Sequence, residues 1–334
     1  MDAGWGYLLV SAIVSATATW LLLERWIPVA HRLGFTGVDR NKPGGVRVAE
    51  MGGVWVAVGS VSGILVLLAL YRYREGYLYR GYELFGSSLL LFMASFIGLM
   101  DDLMVRTGGL RRIYRIMATL PIAAPLVVIK AGVSRMDIPL LGPVDLGLVY
   151  PLILVPVGVM GAANAFNMLA GYNGLEAGMG LLLMIYTAVY SYAKGVMHVF
   201  YLSMIMAAAL AAFLRFNWYP ARVFPGNTFT YGIGAYYAAL VILGNFEKFG
   251  LALYTLYFLE FLLFIRGKLE GVDKENFGKP VDGRLKPPYK KAYSVTHIAL
   301  KILDKTIGAT ETRVTILILA AQAAIGALAL RLLL

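Results

Sequence analysis

Two adjacent carboxylates, Asp101 and Asp102, follow directly on the apolar run that ends Gly98-Leu99-Met100. Carboxylates placed at membrane depth are costly and usually functional, and hard oxygen ligands of this kind suit Mg²⁺. A simpler interpretation is that the pair is merely solvated at the end of a helix. The functional interpretation predicts the acidic element of a site that handles a metal ion or phosphate.

Side-chain amides cluster in two other segments, residues 164–176 and 217–228. These amides belong to Asn164, Asn167, Asn173, Asn217 and Asn227. Glycine and proline punctuate both segments, so the backbone can turn there and offer bare N–H groups. The amide oxygens extend the candidate metal site. Asn164 and Asn167, at i and i+3 on one helix face, are also explained as hydrogen bonds between helices. Phe224, taken alone, is better explained by packing or by an interfacial aromatic belt.

An apolar composition defines the elements that must position these groups. The chain has 334 residues, of which 59% are hydrophobic and 15% charged, with a mean hydropathy of +0.71. A water-soluble domain is nearer half apolar and a quarter charged, so the excess must face lipid. The chain is predicted to be an all-α, polytopic integral membrane protein. Cysteine is absent, which excludes disulfides, thiolate nucleophiles and cysteine-ligated metals.

About twenty apolar residues cross a bilayer core, and the sequence holds about ten such segments. They lie near residues 5–27, 52–71, 84–100, 112–131, 148–164, 176–194, 196–216, 227–245, 247–266 and 313–334. The first lacks the basic flank and cleavage site of a signal peptide, so it is predicted to be a retained span. We expect one transmembrane catalytic domain over residues 1–334.

Lysine and arginine assign the membrane faces. The odd-numbered loops carry 20 of these cations and the even-numbered loops 7; without loop 9 the odd loops still lead, 9 to 7. Because cations near span ends stay in the cytoplasm, the odd loops are predicted to be cytoplasmic and both termini extracytoplasmic. The acidic, amide and basic clusters fall in four of these odd loops. They predict one cytoplasmic site, with oxygen ligands for Mg²⁺ (Mn²⁺ is an alternative) and cations for phosphate.

Loop 9, residues 266–312, is too long for a plain connection and is expected to fold over the site as a cytoplasmic cover. Its apolar residues recur at helical spacing at Val295, Ile298, Ile302 and Leu303. This spacing predicts an interfacial helix. The basic run over residues 286–291 is equally explained by contact with anionic lipid head groups.

Two longer strings make a resemblance specific. Asn-Ala-Phe-Asn-Met-Leu-Ala-Gly-Tyr-Asn-Gly-Leu-Glu-Ala-Gly at 164–178 and Asn-Trp-Tyr-Pro-Ala-Arg-Val-Phe at 217–224 resemble the polyprenyl-phosphate N-acetylhexosamine-1-phosphate transferases. Within that superfamily they are similar to the eukaryotic UDP-GlcNAc:dolichyl-phosphate GlcNAc-1-phosphate transferase and its archaeal relatives. The bacterial branch would have an acidic residue at Ala170 and a histidine-rich motif in loop 9, and this chain has neither.

The resemblance implies a reaction. The phosphate of a polyprenol or dolichol attacks the β-phosphorus of a UDP-N-acetylhexosamine, with UDP-GlcNAc favoured, to give a lipid-diphospho-sugar and UMP. This is a first membrane step of glycan assembly. Repulsion between the two anionic substrates is the barrier, which Mg²⁺ and cationic side chains can lower.

The resemblance also implies roles for single residues. It makes Asn167 and Asn227 magnesium ligands. Asp101 and Asp102 match the acidic pair, for which positioning is favoured over proton removal because a lipid phosphate is already mostly dianionic. The nucleotide would contact Phe224 by stacking on uracil, Asn173 at the base edge, and Gly171 and Glu50 near the ribose. The phosphates would contact Arg284, Arg111 and Lys42.

One departure lowers the expected activity. The family's Gly-Asp motif is Gly226-Asn227 here, so a neutral amide stands where an anionic metal ligand is expected. Because the loss of one charge weakens a Mg²⁺ shell, we expect slow or absent turnover with Asn at 227.

The main alternative is a transporter or flippase that binds a phosphorylated lipid or nucleotide sugar without chemistry. Transporters bury polar sites near the bilayer midplane, often within repeated halves, whereas here no half repeats the other. A nucleic-acid partner for the net charge of +11 is not expected, because no soluble basic domain carries it. The expected location is the plasma membrane of an archaeon, or the ER membrane in a eukaryote. The oligomeric state stays open, a homodimer included.

Overall fold

The computed structural model describes residues 3–105, 112–138 and 142–334, and most of these are α-helical. The helices are α1 Ala3–Leu33, α2 Gly52–Leu70, α3 Gly81–Val105, α4 Arg112–Ala118, α5 Ala124–Val128, α6 Val155–Met168, α7 Leu175–Ala193, α8 Met197–Asn217, α9 Gly226–Gly244, α10 Glu247–Leu253, α11 Thr255–Leu269, α12 Val295–Lys305 and α13 Glu311–Leu333. Shorter helical turns span Tyr71–Glu75, Leu120–Ala123 and Tyr150–Leu154. The strands form antiparallel hairpins: β1 Thr36–Val38 with β2 Arg47–Ala49, β3 Arg135–Ile138 with β4 Gly142–Asp145, and β5 Lys279–Val281 with β6 Arg284–Lys286.

The long helices identify an integral membrane protein. Within the described chain, seven helices are long and apolar enough to cross a membrane: α1, α2 with the turn after it, α3, α6 with the turn before it, α7, α8 and α13. The pair α10 and α11 meets the same criterion jointly, but the two helices bend by 59° at Tyr254, which brings the number to eight if the pair is one span. The predicted all-α membrane fold is confirmed.

Two of the ten expected spans are not among the long, apolar helices. Residues 112–131 form α4, a 3₁₀ turn and α5, with Pro121 and Pro125 at the starts of the last two pieces. Proline lacks an N–H and clashes with the preceding turn, so one continuous helix is not formed. Residues 227–245 do form α9, but this helix is not among the seven apolar ones. The count of ten and the sidedness of the termini stay predictions.

The buried helix α9 forms the centre of the bundle. It packs against α2, α3, α6, α7 and α8, and nearly all of its residues are buried. Glycines allow the backbones to approach closely: Gly98 of α3 faces the carbonyl of Asn227, and Gly234 of α9 faces the carbonyl of Ala162. A side chain at either glycine would overlap the facing backbone. These contacts fix the start of α9 beside the ends of α3 and α6.

Loop 9 folds back onto the ends of the helices. The helix expected near residues 295–303 is present as α12, and it contacts α11, α13 and β6. Glu260 of α11 is fully buried and accepts hydrogen bonds from the Val295 N–H, at 2.8 Å, and the Ser294 hydroxyl, at 2.9 Å. The same carboxylate pairs with the ammonium of Lys274. Glu260 therefore anchors both the start of α12 and the segment before β5 to the membrane helices.

Candidate active site

A cavity of about 1310 Å³ lies where loops 1, 5, 7 and 9 meet α4, α6 and α9–α11. Six of the sequence-predicted site residues line it: Glu50, Asn167, Gly171, Asn173, Phe224 and Asn227. They come from three segments that are distant in sequence, around residues 50, 167–173 and 224–227. The structure thus brings together all six of the predicted nucleotide and metal residues on one surface.

The side chains of Asp101 and Asn227 are joined by a hydrogen bond. Asp101 is only 4% exposed, and its Oδ2 accepts hydrogen bonds from Asn227 Nδ2, at 3.0 Å, and from the Tyr231 hydroxyl, at 3.4 Å. Its Oδ1 lies 3.0 Å from Arg115 Nε. Within the described residues the Oδ1 of Asn227 accepts no hydrogen bond, and Asn227 lines the cavity. An amide oxygen is therefore available at the cavity wall with a carboxylate behind it.

Asp102 has a different geometry from its neighbour. Its Oδ1 accepts the Asn227 N–H at 2.9 Å, and its Oδ2 accepts the Thr228 N–H at 3.2 Å and the Thr228 hydroxyl at 3.0 Å. The carboxylate thus caps the first turn of α9, where a negative charge also complements the helix dipole. Gly226 must approach this carboxylate closely, since a Cβ there would lie 2.6 Å from Asp102 Oδ2, and its φ is +74°. Asp102 does not line the cavity.

Asn167 belongs to the same hydrogen-bonded chain. Its Oδ1 accepts the Thr230 hydroxyl at 2.9 Å, which links the end of α6 to the first turns of α9. Asn164, one turn earlier, donates to Thr119 Oγ1 and to the Met160 carbonyl, both at 2.8 Å. For Asn164 the interpretation as a hydrogen bond between helices therefore describes its contacts. Both amides line the cavity, but Asn167 differs because the Thr230 hydroxyl that donates to it also lies 3.3 Å from the Asn227 carbonyl.

Phe224 and Glu50 are held side by side by the backbone. The Phe224 N–H donates to the Ala49 carbonyl at 2.7 Å, and the Gly52 N–H donates to the Phe224 carbonyl at 3.0 Å. Trp26 Nε1 donates to the Glu50 carbonyl at 2.7 Å. Both side chains face one cavity from a fixed frame, and a partly exposed ring in such a position can stack on a flat base.

The side-chain amide of Asn173 makes most of its hydrogen bonds within the protein. Its Oδ1 accepts the Ala221 N–H at 2.7 Å and the Lys42 ammonium at 3.3 Å, while its Nδ2 donates to Asp39 Oδ2 at 3.2 Å. Lys42 also pairs with Asp39 at 2.9 Å and lies 4.7 Å from the centroid of the Tyr219 ring. Lys42 therefore lies behind the cavity wall, where it neutralises Asp39 and orients Asn173.

Buried carboxylates shape the turn of loop 5. The Gly171 N–H donates to Glu176 Oε1 at 2.9 Å, and the Asn173 N–H donates to Glu311 Oε1 at 2.8 Å. Gly171 has a φ of +110°, and a Cβ there would lie 2.9 Å from the Phe277 ring, so glycine is required. Burial, and then the nearby Glu311, raise the pKa of the Tyr172 hydroxyl, so that it stays protonated as a donor to loop 9.

Neither Arg284 nor Arg111, two of the predicted phosphate-binding cations, is described at the cavity wall. Arg284 is on β6 next to Gly308 and does not line the cavity. Arg111 lies outside the described residues. Sequence reasoning missed Arg115, which contacts Asp101 and lines the cavity, and Lys274 of loop 9, which also lines it. Arg115 follows the predicted Arg111 by four residues in the sequence, which was the available signal. No pattern in the sequence marked Lys274 as a site residue.

The donors at the cavity wall suit a hard cation only in part. Among the described residues no group of three or more histidine, cysteine, aspartate or glutamate side chains is arranged to hold a metal ion. The oxygens gathered at the start of α9 belong to two amides on the cavity wall, Asn167 and Asn227, and to one carboxylate behind it, Asp101. Mg²⁺ is often held by one or two carboxylates together with waters and substrate phosphates. These residues therefore fit a magnesium site that the substrate phosphates would complete.

Comparison with known proteins agrees with the resemblance. The sequence profile of glycosyl transferase family 4 matches residues 84–245. A protein of Sulfolobus acidocaldarius, provisionally named UDP-N-acetylglucosamine–dolichyl-phosphate N-acetylglucosaminephosphotransferase, is 35% identical over 88% of this chain and 88% of the relative. The protein of Saccharolobus solfataricus with the same provisional name is 35% identical over 88% of this chain and 87% of the relative. The Schizosaccharomyces pombe enzyme of that name is 28% identical over 71% of this chain and 62% of the relative. The chain therefore belongs to glycosyl transferase family 4, the polyprenyl-phosphate N-acetylhexosamine-1-phosphate transferases, and is similar to their archaeal and eukaryotic members.

Proposed function

We propose that this membrane protein transfers GlcNAc-1-phosphate from UDP-GlcNAc to a dolichyl or other polyprenyl phosphate and releases UMP. The observation that carries the proposal is one cavity with two kinds of wall, polar at the loops and apolar between helices. The printed names of the relatives supply the substrate classes.

The apolar wall suits an isoprenoid chain. It is formed by α6, through residues such as Val157 and Met160, and by the bent pair α10–α11, through Leu251, Phe258 and Phe261. Phe258 and Phe261 are each 47% exposed, although they lie on a helix pair that is long and apolar enough to cross a membrane. A lipid tail can therefore enter this side from the bilayer while its phosphate reaches the polar wall.

The polar wall needs added positive charge before two anions can meet there. Among the described lining residues three are cationic, Arg40, Arg115 and Lys274, whereas four are acidic. The acidic residues are Asp39, Glu50, Glu176 and Glu275. The nucleotide diphosphate carries about two negative charges and the lipid phosphate nearly two, since its second pKa is about 6. This imbalance supports a divalent cation as a partner, for which Mg²⁺ fits the oxygen donors best and Mn²⁺ is the alternative.

In this proposal Asn227 and Asn167 would hold the cation with Asp101 close by, and the cation would supply charge neutralisation for an in-line displacement at phosphorus. Arg115 reaches the same place from α4 and can meet the lipid phosphate. Asp102 holds the first turn of α9 and so positions Asn227. No residue needs to remove a proton, because the attacking phosphate is mostly ionised at neutral pH.

The nucleotide would lie against loops 1, 5 and 7. Phe224 offers a ring to the uracil, and Glu50 and Gly171 are near enough to the same wall to bound the ribose. Asn173 has its carbonyl oxygen engaged, so its remaining Nδ2 hydrogen is what it can offer to the base. We further propose that this wall faces the cytoplasm of an archaeal cell, with both termini outside, in line with the excess of cations in the odd loops.

The test is a transfer assay on the purified full chain. Protein, Mg²⁺, UDP-GlcNAc labelled in the sugar and a polyprenyl phosphate are incubated, and label is measured in the lipid phase together with released UMP. Equal amounts of lipid label and UMP are expected, slow in the unmodified chain and faster in Asn227→Asp. Phe224→Ala should lose product, while Tyr73→Ala, on the opposite face, should not. Label that crosses a vesicle membrane with UDP-GlcNAc intact would instead indicate the transporter.

A further inference from the structure

A second cavity, of about 530 Å³, lies at the far end of the same helices. α8 contributes Asn217 to the large cavity and His198 to the second, and α9 contributes Asn227 and Gly244 in the same way. At 1.5 Å per residue the two ends of α8 are about 30 Å apart, which is the thickness of a bilayer hydrocarbon core. The two cavities therefore belong to opposite membrane faces.

Aromatic side chains mark the depth of the second cavity. Tyr79 and Tyr82 line it, and Tyr79 stacks on Tyr71 with ring centroids 4.6 Å apart. Tyr82 and the nearby Tyr73 are strongly exposed, and Tyr77 packs on Tyr71. Tyrosine and tryptophan concentrate at the level of lipid head groups. The cavity is therefore at head-group depth rather than in bulk water.

The charged groups of this cavity favour a single anion. Arg80 and Lys130 are its cations and are both exposed, and Glu83 pairs with Arg80 at 3.0 Å. Within the described side chains Lys130 has no carboxylate partner. The three charges leave the cavity with a net charge of about +1 when histidine is neutral, which matches a phosphate diester.

A buried histidine and a helix start complete the wall. His198 is 7% exposed and lines the cavity beside Leu243, whose backbone its ring contacts. α8 begins one residue earlier, at Met197, and its cap residue Val196 provides no side-chain hydrogen bond. The first N–H groups of α8 therefore stand at the cavity, where helix dipoles favour anions.

Both cations occupy backbone positions that favour glycine. Arg80 has a φ of +45° and Lys130 a φ of +49°. This left-handed conformation is costly for residues with a Cβ. Two cations in this conformation at one cavity favour a role for their side chains in binding an anion there.

We propose that this cavity binds the phosphate of an anionic membrane lipid on the face opposite the candidate active site. The head-group depth favours a lipid over a free ion, and Lys130, Arg80 and the start of α8 supply the recognition. The proposal is independent of the transfer reaction.

The test compares lipid binding by the purified, delipidated full chain in nanodiscs. Native mass spectrometry counts retained phosphatidylglycerol, and thermal unfolding is measured in phosphatidylcholine with and without phosphatidylglycerol. Lys130→Gly removes the cation and places the preferred residue at the left-handed position. We expect phosphatidylglycerol affinity to fall about fivefold, as for one cation at a membrane surface, while stability in pure phosphatidylcholine holds or rises. Arg80→Gly should act in the same direction.

Lys194→Ala is the matched control, because Lys194 is on the same face, lies over the Tyr190 ring and does not line the cavity. It should retain the affinity of the unmodified protein. Equal losses in Lys194→Ala and Lys130→Gly would overturn the proposal in favour of general surface charge. Stabilisation by inorganic phosphate that phosphatidylglycerol fails to reproduce would overturn the lipid as occupant.

Discussion

Asn227→Asp is the sharpest perturbation that the structure offers. Asn227 Nδ2 now donates to Asp101 Oδ2 at 3.0 Å. The substitution replaces this donor with a carboxylate oxygen at a similar separation. Two like charges 3.0 Å apart repel by about 5 kcal/mol at an effective dielectric of about 20. Arg115, 3.0 Å from the other Asp101 oxygen, offsets part of this, so a net loss of about 2 kcal/mol in the free energy of unfolding is expected without metal.

The assay is thermal unfolding of the purified protein, with chelator or with Mg²⁺, beside the transfer rate. In chelator the variant should be less stable than the unmodified chain at about pH 8 and closer to it at about pH 5, because protonation of one carboxyl removes the repulsion. Mg²⁺ should stabilise the variant more than the unmodified chain, since the second carboxylate becomes a ligand. In the presence of Mg²⁺, the variant should also transfer sugar phosphate faster than the unmodified chain.

Asn164→Asp is the matched control, because it makes the same chemical change on the same cavity at an amide bonded to Thr119 and Met160. It should lose stability without any gain from Mg²⁺. If Asn227→Asp responded to Mg²⁺ no more than Asn164→Asp, and transferred no faster than the unmodified chain, Asn227 would not be a metal ligand.

Four further outcomes are expected. Phe224→Ala should raise the KM for UDP-GlcNAc about tenfold, as for one lost base stack, and leave the KM for polyprenyl phosphate unchanged in steady-state kinetics. Phe261→Arg should do the opposite, because it charges the apolar wall; equal effects on both KM values would argue against two separate subsites. Asp102→Ala should lower the unfolding free energy by about 1–2 kcal/mol through loss of the α9 cap, measured by thermal unfolding. Burial lowers the pKa of His297 to about 4, below the unfolded value of about 6.5, so the stability of loop 9 is complete above about pH 6.5 and declines toward about pH 4. Limited proteolysis of loop 9 should follow that range, and His297→Gln should flatten it.

Residue type and position at the predicted span ends were enough to predict which residues gather at the candidate site. Asn167, Asn227 and Phe224 line one cavity as the sequence suggested, and Asp101 bonds to one of them. These residues stand at span ends, where polar groups are rare enough to be informative. The same reasoning located the helix of loop 9, whose apolar spacing is regular.

Contacts between distant segments were beyond the reach of the sequence. Asp102 looked equivalent to Asp101, yet it caps α9, because close packing at Gly98 brings the start of that helix to it. Lys42 is a loop cation whose partner, Asp39, is visible in the sequence, whereas its contact with Asn173 depends on the fold. The break between α10 and α11 at Tyr254 has no proline to announce it.

Because Gly98 lies so close to the Asn227 carbonyl, the position of Asn227 at the candidate active site depends partly on a residue without a side chain. A genetic screen scored by glycan output would rank Gly98 beside the proposed metal ligands, although Gly98 does not line the cavity. Loss-of-function alleles in this protein should therefore be sorted by whether they add volume at a helix crossing or remove a functional group from the cavity.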